Sequence, residues 1–464
     1  MPNRAVSDRW WAWVAEARSG DRSVAACQRW LAKFVSRPPQ ALCHGRAALR
    51  ANKFWIAAIP PALACCAAWA ASDGARLRIV ATPAMSSPGY LESVVDPAFR
   101  TSFVRVTDPG RPILPGHPCD AAYCTHRYSS AQAWNADQSL LVIDNGCPGF
   151  CFLDGRSYKP LFQRPVPNEC EWHPTESASM ICVDRNEIYR WAPRSDMKTS
   201  IYVSGDHAHF QFGPYKGNPS NDGNRLAVRA RNGVGALVVF VYDIAASKKY
   251  PDIDLDGLPG KNSYCTISAS GRYLFCVQKM RDETDHGYVF SVDGRLVQHW
   301  AEHHRPGHGD IALDIDGNDV YVGISKANPD KYHVIKRRLR DGAVTDLAPY
   351  GEAQHVSVRN INRPGWAFVT YGGSYSQVAA WVGRAPFYQE VVAIRIDGGE
   401  VRRIVQTRSA AHDYWSEAHG SPSPDGSQVI WSSNWGRAGG AVADYVARLG
   451  WPATAPGVAV PAVQ

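Results

Sequence analysis

The sequence predicts an all-β protein with the architecture of a seven-bladed β-propeller. Between Trp134 and Trp435 a short turn followed directly by a hydrophobic strand occurs seven times, and most copies lie 46 to 48 residues apart. A turn and strand that recur every roughly 40 to 50 residues are typical of propeller blades. The 16 tryptophans and 20 tyrosines fit this prediction, because aromatic side chains suit the half-buried surface of a sheet.

The seven copies can be assigned in chain order, each as a turn with the strand that follows it. They are 135–137 with 140–143, 173–175 with 180–183, 220–223 with 226–228, 268–271 with 273–276, 314–317 with 320–322, 360–362 with 366–369, and 423–426 with 429–431. Several of these runs are followed by a second strand that ends in Asp-Gly, a strong hairpin signal. These outer strands are predicted at 150–153, 187–191, 237–242, 288–292, 333–337 and 391–396.

Closure of the ring requires one more outer strand for the last blade. Two apolar runs before the first copy, 77–81 and 103–106, could each supply it. Closure of this kind leaves no unpaired sheet edge. We therefore expect one of these two segments to pair with the end of the last blade.

The residues before and after the predicted propeller differ from it in composition. The uncharged stretch 54–71 follows a basic segment and ends in Ala68-Trp69-Ala70, which resembles an export signal. Two interpretations stay open: an export signal preceded by a start codon that is placed too early, or a signal-anchor. We predict a basic leader at 1–53, a signal peptide or signal-anchor at 54–71, a propeller at 72–450 and a disordered tail at 451–464.

The net charge of +7 comes from the leader alone. Residues 1–53 hold ten Lys or Arg and three Asp or Glu, so the rest of the chain holds 40 of each (50 − 10 and 43 − 3). A chain without a basic domain is not expected to bind nucleic acid. We expect a membrane contact only through the possible anchor, and a monomer.

Cysteine usage favours an oxidising compartment. Eight of the 12 cysteines follow the apolar stretch and fall into four close pairs. An even number in repeated positions predicts disulfides and hence a periplasmic or secreted protein. Zinc is the alternative, although the pairs lack the C-x-x-C spacing of zinc sites. The predicted pairs are Cys119 with Cys124, Cys147 with Cys151, Cys170 with Cys182, and Cys265 with Cys276.

Chemistry is expected at the central axis, because the innermost strand of each blade lines the channel there. The innermost strand directly precedes each turn, so residues six to ten positions before the turns are candidates. Every blade offers a polar, titratable or aromatic side chain at these positions. The candidates are His126, Arg127, Tyr128, Glu169, Glu171, Tyr215, Lys216, Tyr264, His308, Asp310, Gln354, His355, Glu417 and His419.

Histidine occupies four of the seven equivalent places. Neutral imidazoles that converge from separate strands suit a divalent metal, with one carboxylate or amide to complete the site. His308, His355 and His419 come from three adjacent predicted blades. We therefore predict these three as metal ligands, with Ca, Mn or Zn as candidate ions.

The segment Tyr414-Trp-Ser-Glu-Ala-His419-Gly-Ser-Pro-Ser-Pro-Asp425-Gly and the strand Trp431-Ser-Ser-Asn-Trp435 resemble the propeller-fold polysaccharide lyases. That group includes oligogalacturonate lyases and ulvan lyases, and the resemblance covers roughly residues 120–440. It implies cleavage of a uronic-acid glycan by β-elimination. In this reaction a base removes the C5 proton, an acid protonates the leaving oxygen, and cations neutralise the carboxylate.

The resemblance also implies roles for individual residues. By the ulvan-lyase-like arrangement, His126 is the base and Tyr215 is the acid, with Tyr215 as an alternative base, and Arg231 and Asn145 neutralise the carboxylate. Tyr264, Arg127 and Glu171 are expected to bind substrate. In the oligogalacturonate-lyase-like arrangement late-blade histidines hold a metal; His355 and His419 are similar to these, while Glu417 and Tyr414 stand where that family has His and Gln.

Two functions therefore remain open from the sequence. The first is an exported carbon–oxygen lyase that acts on an acidic polysaccharide or oligosaccharide. The second is a non-catalytic propeller of the periplasm or cell exterior that binds a protein or glycan partner. Convergence of several reactive side chains on the axis is required by the lyase and not by the binding protein.

Overall fold

Seven antiparallel sheets follow one another along the chain, one for each copy of the turn-and-strand pattern, and form a seven-bladed β-propeller. The computed structural model describes residues 78–165, 168–213, 216–301, 307–326, 331–349, 351–372, 386–410 and 412–451. The chain divides into two compact units, 1–65 and 66–464, and all described residues belong to the second. The predicted fold class is confirmed.

The strands of each blade run in chain order from the axis to the rim. Blade 1 consists of Leu140–Ile143, Phe150–Asp154 and Pro160–Arg164. Blade 2 consists of Glu169–Trp172, Met180–Asp184, Glu187–Ala192 and Met197–Val203. Blade 3 consists of His207–Gln211, Arg225–Asn232, Leu237–Asp243, Lys248–Lys249 and Ile253–Asp254. Blades 4 and 5 consist of Lys261–Ile267, Tyr273–Lys279, Asp285–Ser291 and Leu296–Trp300; and of Asp310–Leu313, Asp319–Ile324, Val334–Arg338 and Val344–Ala348. Blades 6 and 7 consist of Ala353–Ser357, Trp366–Tyr371, Glu390–Arg395 and Val401–Gln406; and of Ser421–Pro422, Gln428–Ser433 and Val442–Arg448.

Several short elements precede blade 1 in the chain, and one lies between blades 6 and 7. Bridges Thr125↔Asn145 and Trp134↔Leu141 continue the inner edge of blade 1. The remaining elements are the strands Ser93–Val95, Ser102–Arg105, Pro112–Leu114, His117–Pro118 and Tyr123–Cys124, and the 3-10 helix Tyr414–Ser416.

The repeated turns form because their side chains bind the backbone that follows. In the last copy Asp425 accepts a hydrogen bond from the Ser427 backbone N–H at 2.9 Å, and the Ser423 hydroxyl accepts one from the Gln428 N–H at 3.1 Å. Gly426 has a φ of 68°, which favours glycine. The turn thus fixes where the next strand begins.

The ring closes through a strand that precedes blade 1 in the chain. Ser102–Arg105 pairs with Val442–Arg448 of blade 7, and Ser93–Val95 pairs outside it. The closure predicted from residues 103–106 is therefore confirmed. Residues 78–81 form no strand; Arg78 and Ala81 instead accept hydrogen bonds through their carbonyls from Arg403 and Gln406 of blade 6.

Apolar side chains from neighbouring blades pack against each other and form the core between sheets. In one such cluster Phe368 and Val391 of blade 6 pack with side chains of blade 7. Within blade 7, Trp431 stacks on Tyr445 with ring centroids 5.6 Å apart, and Phe103 of the closing strand packs on the same two rings. All three side chains are almost fully buried. The closing strand is thereby held by burial as well as by its hydrogen bonds.

All four predicted cysteine pairs form disulfides. Cys170 lies directly opposite Cys182 on adjacent strands of blade 2, and Cys265 opposite Cys276 in blade 4. Each of these two pairs has a Cα–Cα distance of 4.1 Å. The bonds indicate an oxidising environment outside the cytoplasm.

The predicted leader at 1–53, the predicted signal or anchor at 54–71 and the predicted tail beyond Trp451 lie outside the described residues. They stay predictions. Within the described part of the chain, no helix has both the length and the apolar composition needed to cross a membrane.

Candidate functional site

The starts of the inner strands of blades 5, 6 and 7 bring three histidines together on the axis. The rings of His308 and His355 lie 4.7 Å apart between centroids, and those of His355 and His419 lie 4.4 Å apart. His355 and His419 are buried, whereas His308 is exposed. The structure thus brings together the three histidines that the sequence predicts as metal ligands.

Two of these histidines share a rare backbone conformation. His308 and His419 have φ angles of 46° and 48°, in the left-handed region that non-glycine residues rarely occupy. Each of these two histidines is followed by a glycine. A Cβ atom at Gly309 would clash with the Tyr321 ring, and a Cβ atom at Gly420 would clash with the Thr370 hydroxyl. Such left-handed conformations cost about 1–3 kcal/mol each and cluster at functional sites.

Glu417 joins the histidines as a third donor of a possible metal site. Its Oε2 lies 3.4 Å from Nε2 of His355 and 3.3 Å from Nε2 of His419. The candidate ligand atoms of the three residues all lie within 4.8 Å of one another. We call His308, His355, Glu417 and His419 the axial cluster.

The buried ring nitrogens of this cluster lack well-formed hydrogen bonds. Among the described residues, Nδ1 of His355 has no hydrogen-bond partner, and Nε2 of His355 and of His419 make no well-formed hydrogen bond, with the Glu417 carboxylate 3.4 and 3.3 Å away. Burial lowers the pKa of both histidines, so their rings are neutral and present lone pairs. Two imidazoles and one carboxylate with free lone pairs fit a divalent ion such as manganese or zinc.

His308 lies beside this triad and has a different contact. Its Nδ1 lies 3.2 Å from the Tyr128 hydroxyl, and its ligand atoms are not among the three grouped above. Burial of the ring lowers the pKa of His308, and the charges of Lys326 and Lys216 lower it further. The geometry therefore gives Glu417, rather than His308, the third place in the triad and leaves His308 as a neutral imidazole at its edge.

Two lysines face the same space. The Lys216 ammonium lies 4.7 Å from the Tyr128 ring centre and 5.7 Å from that of Tyr264, and the stem of Lys326 packs on Gly307. Burial lowers the pKa of both lysines. Neither ammonium makes a direct ion pair with a described residue, although the charges of Asp285 and Glu417 oppose the effect of burial on the pKa of both. Both ammonium groups can therefore contact an anion directly.

Tyr264 and His308 line the same small cavity. The cavity has a volume of about 30 Å³ and is also lined by Tyr128 and Lys216. Burial raises the pKa of Tyr264, so its hydroxyl stays protonated. The predicted substrate-binding residue Tyr264 is therefore next to the axial cluster.

An aromatic side chain stands above the cluster. Asp413 caps the 3-10 helix Tyr414–Ser416, accepting a hydrogen bond from the Ser416 N–H. Tyr414 is 49% exposed, and its ring lies 5.0 Å from His419. Trp415 stacks on Tyr123 at 4.2 Å, which fixes the helix on the short strand Tyr123–Cys124 that pairs with blade 7. Tyr414 thus offers an open ring face beside the buried donors.

His126 lies behind the cluster rather than within it. Its Nδ1 lies 3.0 Å from the Asp444 carboxylate and its Nε2 lies 2.8 Å from the His419 carbonyl oxygen. Both partners only accept, so both ring nitrogens donate and the ring is an imidazolium. Burial lowers the pKa of His126, but Asp444 and the His419 carbonyl outweigh it and raise the value. A ring without a lone pair differs from the base that the sequence predicts.

Asn145 and Arg127 also support the inner wall. The Asn145 amide donates to the carbonyls of His126 and Arg127 at 2.9 and 3.3 Å. Arg127 pairs with Glu171 at 2.5 Å and lies 3.8 Å from Asp144. Burial raises the pKa of Glu171 to about 7 against the opposing charge of Arg127. These contacts differ from the predicted roles, because both amide hydrogens and the guanidinium are already engaged by the protein.

Arg231 and Tyr215 complete the predicted set. Arg231 lies near the end of the second strand of blade 3, where it donates to the Gly235 carbonyl at 2.9 Å and lies 3.7 Å from Asp256. None of these contacts is with the axial cluster. Tyr215 lies outside the described residues, so its predicted role as the acid stays a prediction.

Sequence reasoning missed Lys326 and the place of Asp444. Lys326 follows the second strand of blade 5, so counting back from the turns cannot reach it. Asp444 meets His126 across 318 residues. A usable signal for the histidines does exist, since His-Gly recurs at 308–309 and 419–420, where blades 5 and 7 begin.

Comparison with known proteins supports the fold. No protein-family model and no curated protein matches the sequence. A solved oligogalacturonate lyase in complex with manganese is similar over 80% of this chain and 98% of its own, with a TM-score of 0.54 and 13% identity. An oligogalacturonate lyase from Vibrio parahaemolyticus is similar over 77% and 96%, with a TM-score of 0.53 and 10% identity. At these identities the likeness shows a shared propeller fold alone.

Proposed function

We propose that this propeller is a polysaccharide lyase that cleaves a uronic-acid glycan by β-elimination at the axial cluster. The observation that carries the proposal is that potential metal ligands and two lysine ammonium groups lie at one place. The buried imidazole nitrogens and the Glu417 carboxylate lie near Lys216 and Lys326, which make no direct ion pair with a described residue, although the charges of Asp285 and Glu417 act on both. A carboxylated substrate supplies the direct partner that these two ammonium groups lack. The similarity to solved oligogalacturonate lyases supports the same conclusion.

Charge neutralisation is the first requirement of the reaction. Removal of the proton at C5 places negative charge next to the uronate carboxylate. Lys216 and Lys326 lower the cost of that charge, because their ammonium groups face a partly buried space where electrostatic effects are strong. A divalent ion held by His355, Glu417 and His419 would act as a Lewis acid on the same carboxylate.

His308 is the proposed base. In the tautomer that donates Nδ1–H to the Tyr128 hydroxyl, Nε2 carries the free lone pair on a neutral ring, and the mechanism uses this tautomer. The base takes the C5 proton, the electron pair forms the C4–C5 double bond, and the C4–O bond breaks. The leaving oxygen takes a proton from the acid, for which Tyr215 remains the sequence-based candidate.

Tyr414 is the proposed platform for the sugar ring. Its exposed face lies beside His419 and close to Tyr128, whose ring is 6.4 Å away and parallel. Aromatic faces bind the apolar C–H surface of a sugar, and the two-torsion side chain loses little entropy on binding. We infer an exported protein of the periplasm or cell exterior from the four disulfides.

The test is absorbance near 235 nm, the signal of the conjugated double bond that β-elimination leaves. The full chain with added manganese is assayed against a panel of uronate polymers, together with His308→Gln and Tyr215→Phe. We expect a rise with the parent and a loss of at least about 100-fold for His308→Gln. His299→Gln, in the outer strand of blade 4, is the matched control and should retain the parent rate.

The outcomes separate the alternatives. An undiminished rate for His308→Gln removes His308 from the mechanism but keeps the lyase. No product from any uronate polymer, with the protein folded and manganese bound, favours the non-catalytic glycan- or protein-binding propeller instead.

A further inference from the structure

A second charged concavity lies between blades 3 and 4. It has a volume of about 310 Å³, within the range of roughly 300–1,000 Å³ that small-molecule sites occupy. Besides His209, its polar lining consists of six residues: Gln211, Arg229, Arg231, Asp256, Lys261 and Asn262. We call these six residues the basic groove. Three cations face one carboxylate there, so the lining carries an excess of two positive charges.

Arg229 is fixed in the groove by neutral partners. Its Nε donates to the Gln211 side-chain oxygen at 3.0 Å, and its Nη1 donates to that of Asn262 at 3.0 Å. A third bond runs from Nη2 to Gln211 at 2.5 Å. Three of five N–H groups are used and no described carboxylate pairs with the guanidinium, so its charge and two donors remain for a ligand.

The other two cations stand at the edge of the groove. Arg231 has a half-exposed side chain, and its distance of 3.7 Å to the exposed Asp256 makes that ion pair weak. Lys261 is exposed and makes no ion pair with a described residue. Leu237 adds an aliphatic wall. A rigid central arginine between two adaptable cations suits a chain that carries carboxylates at intervals.

The groove opens on the same face of the propeller as the axial cluster. Lys261 is the first residue of the inner strand of blade 4, and His308 and His355 lie at the starts of the inner strands of blades 5 and 6. Arg231 pairs across from Ala208 at the start of the blade 3 inner strand. Because corresponding strand ends lie on one face, a chain bound at the axis can continue outward over the groove.

We propose that the basic groove is a remote subsite that binds a carboxylate of an acidic saccharide chain whose reacting sugar lies at the axis. This inference rests on the proposed function for the identity of the chain. A nucleic acid fits less well, because the described groove lining includes no Phe, Tyr or Trp and offers only the His209 ring on which a base could stack. The subsite gives longer chains an affinity that a disaccharide cannot gain.

The experiment compares the binding of a long uronate polymer with that of its disaccharide. Fluorescence anisotropy measures Kd in a His308→Gln background, so that turnover does not consume the ligand. The variants are Arg231→Gln, Lys261→Gln and Arg229→Gln, with Arg295→Gln as the matched control. Arg295 is exposed and lies in the hairpin between the last two strands of blade 4, at the end opposite to the groove.

We expect each groove variant to weaken polymer binding by about tenfold, which is the effect of one lost charge-assisted hydrogen bond. The ratio of polymer to disaccharide affinity should fall towards one, and Arg295→Gln should leave it unchanged. Since Arg229 is partly buried, Arg231→Gln and Lys261→Gln keep the test valid even if Arg229→Gln does not fold.

Four results would overturn the proposal. They are unchanged polymer affinity in all groove variants, an equal loss for polymer and disaccharide, a loss confined to sulfated polymers or DNA, and no binding of any uronate polymer by the parent. The failure of the lyase is distinguishable, because it appears as absent product at 235 nm while groove-dependent polymer binding persists.

Discussion

Replacement of Asp444 by alanine should be among the most damaging single changes to this fold. Its carboxylate is fully buried and accepts hydrogen bonds from the His126 N–H at 2.5 Å, His126 Nδ1 at 3.0 Å and the Ser432 hydroxyl at 2.9 Å. The alanine variant leaves three buried donors and a buried imidazolium without a partner. Loss of one member of a buried ion pair costs about 3–5 kcal/mol, so we expect about 4 kcal/mol.

Asp444→Asn separates charge from shape. The amide oxygen can still accept from the His126 N–H, and a neutral His126 can accept from the amide nitrogen while Nε2–H donates to the His419 carbonyl. We expect this variant to lose only about 1–2 kcal/mol. Urea unfolding followed by tryptophan fluorescence measures both values. The control is Asp108→Ala, which removes a partly exposed partner of Arg105 and should cost less than about 1 kcal/mol.

Equal losses for Asp444→Ala and Asp444→Asn would refute the reasoning, since charge and hydrogen-bond geometry would then be irrelevant. A loss below about 1 kcal/mol for the alanine variant would refute it as well. Either result would mean that His126 is not the buried cation inferred from its two accepting partners.

Three further outcomes follow from the structure. Burial raises the pKa of Glu390 to about 8 against the charge of Arg403. The contribution of the protonated Glu390 to the free energy of unfolding is therefore complete below the unfolded pKa near 4.5 and is lost as pH rises towards 8. A Glu390→Gln variant that keeps this pH dependence would contradict the assignment of the raised pKa to Glu390. Manganese at a hundredfold excess over its Kd should raise the free energy of unfolding by about 2.7 kcal/mol, and Glu417→Gln, measured by the same thermal unfolding scans, should abolish that increase. Replacing both Cys170 and Cys182 by alanine should lower the free energy of unfolding, measured in urea, by about 2–3 kcal/mol, because the disulfide closes a loop with a sequence separation of 12. An unchanged urea midpoint would show that the hairpin does not need the disulfide.

The repeats predicted the blades well because each copy is a local structure. In the turn that contains Asp425 and Gly426, side chains bind the backbone within five residues, so the sequence specifies both the turn and the start of the strand. For the strand that closes the ring, the sequence left two candidate segments. The structure uses residues 103–106, which place Phe103 against Trp431, and this contact joins residues that are distant in the chain.

The candidate site was predicted less completely because its chemistry depends on such distant contacts. The sequence placed His355 and His419 on the axis, and the period of the blades suffices for that. It assigned His126 as a base, whereas the partner that holds its proton comes from the far end of the chain. Lys326 follows the second strand of blade 5, outside the inner strands from which the candidates were chosen. The left-handed backbone conformation of His308 cannot be predicted from the spacing of the repeats.

Closure of the ring has a consequence for when the protein can acquire a metal. The donors Glu417 and His419 belong to the last blade, which is complete only after the N-terminal strand Ser102–Arg105 has joined Val442–Arg448. A chain still emerging from a ribosome or a translocation pore can present His355 but not its two partners. If the proposed metal site and the proposed export both hold, the ion would be taken up after translocation, from the compartment in which the protein finishes folding. The metal content of that compartment, rather than of the cytoplasm, would then decide which ion the site carries.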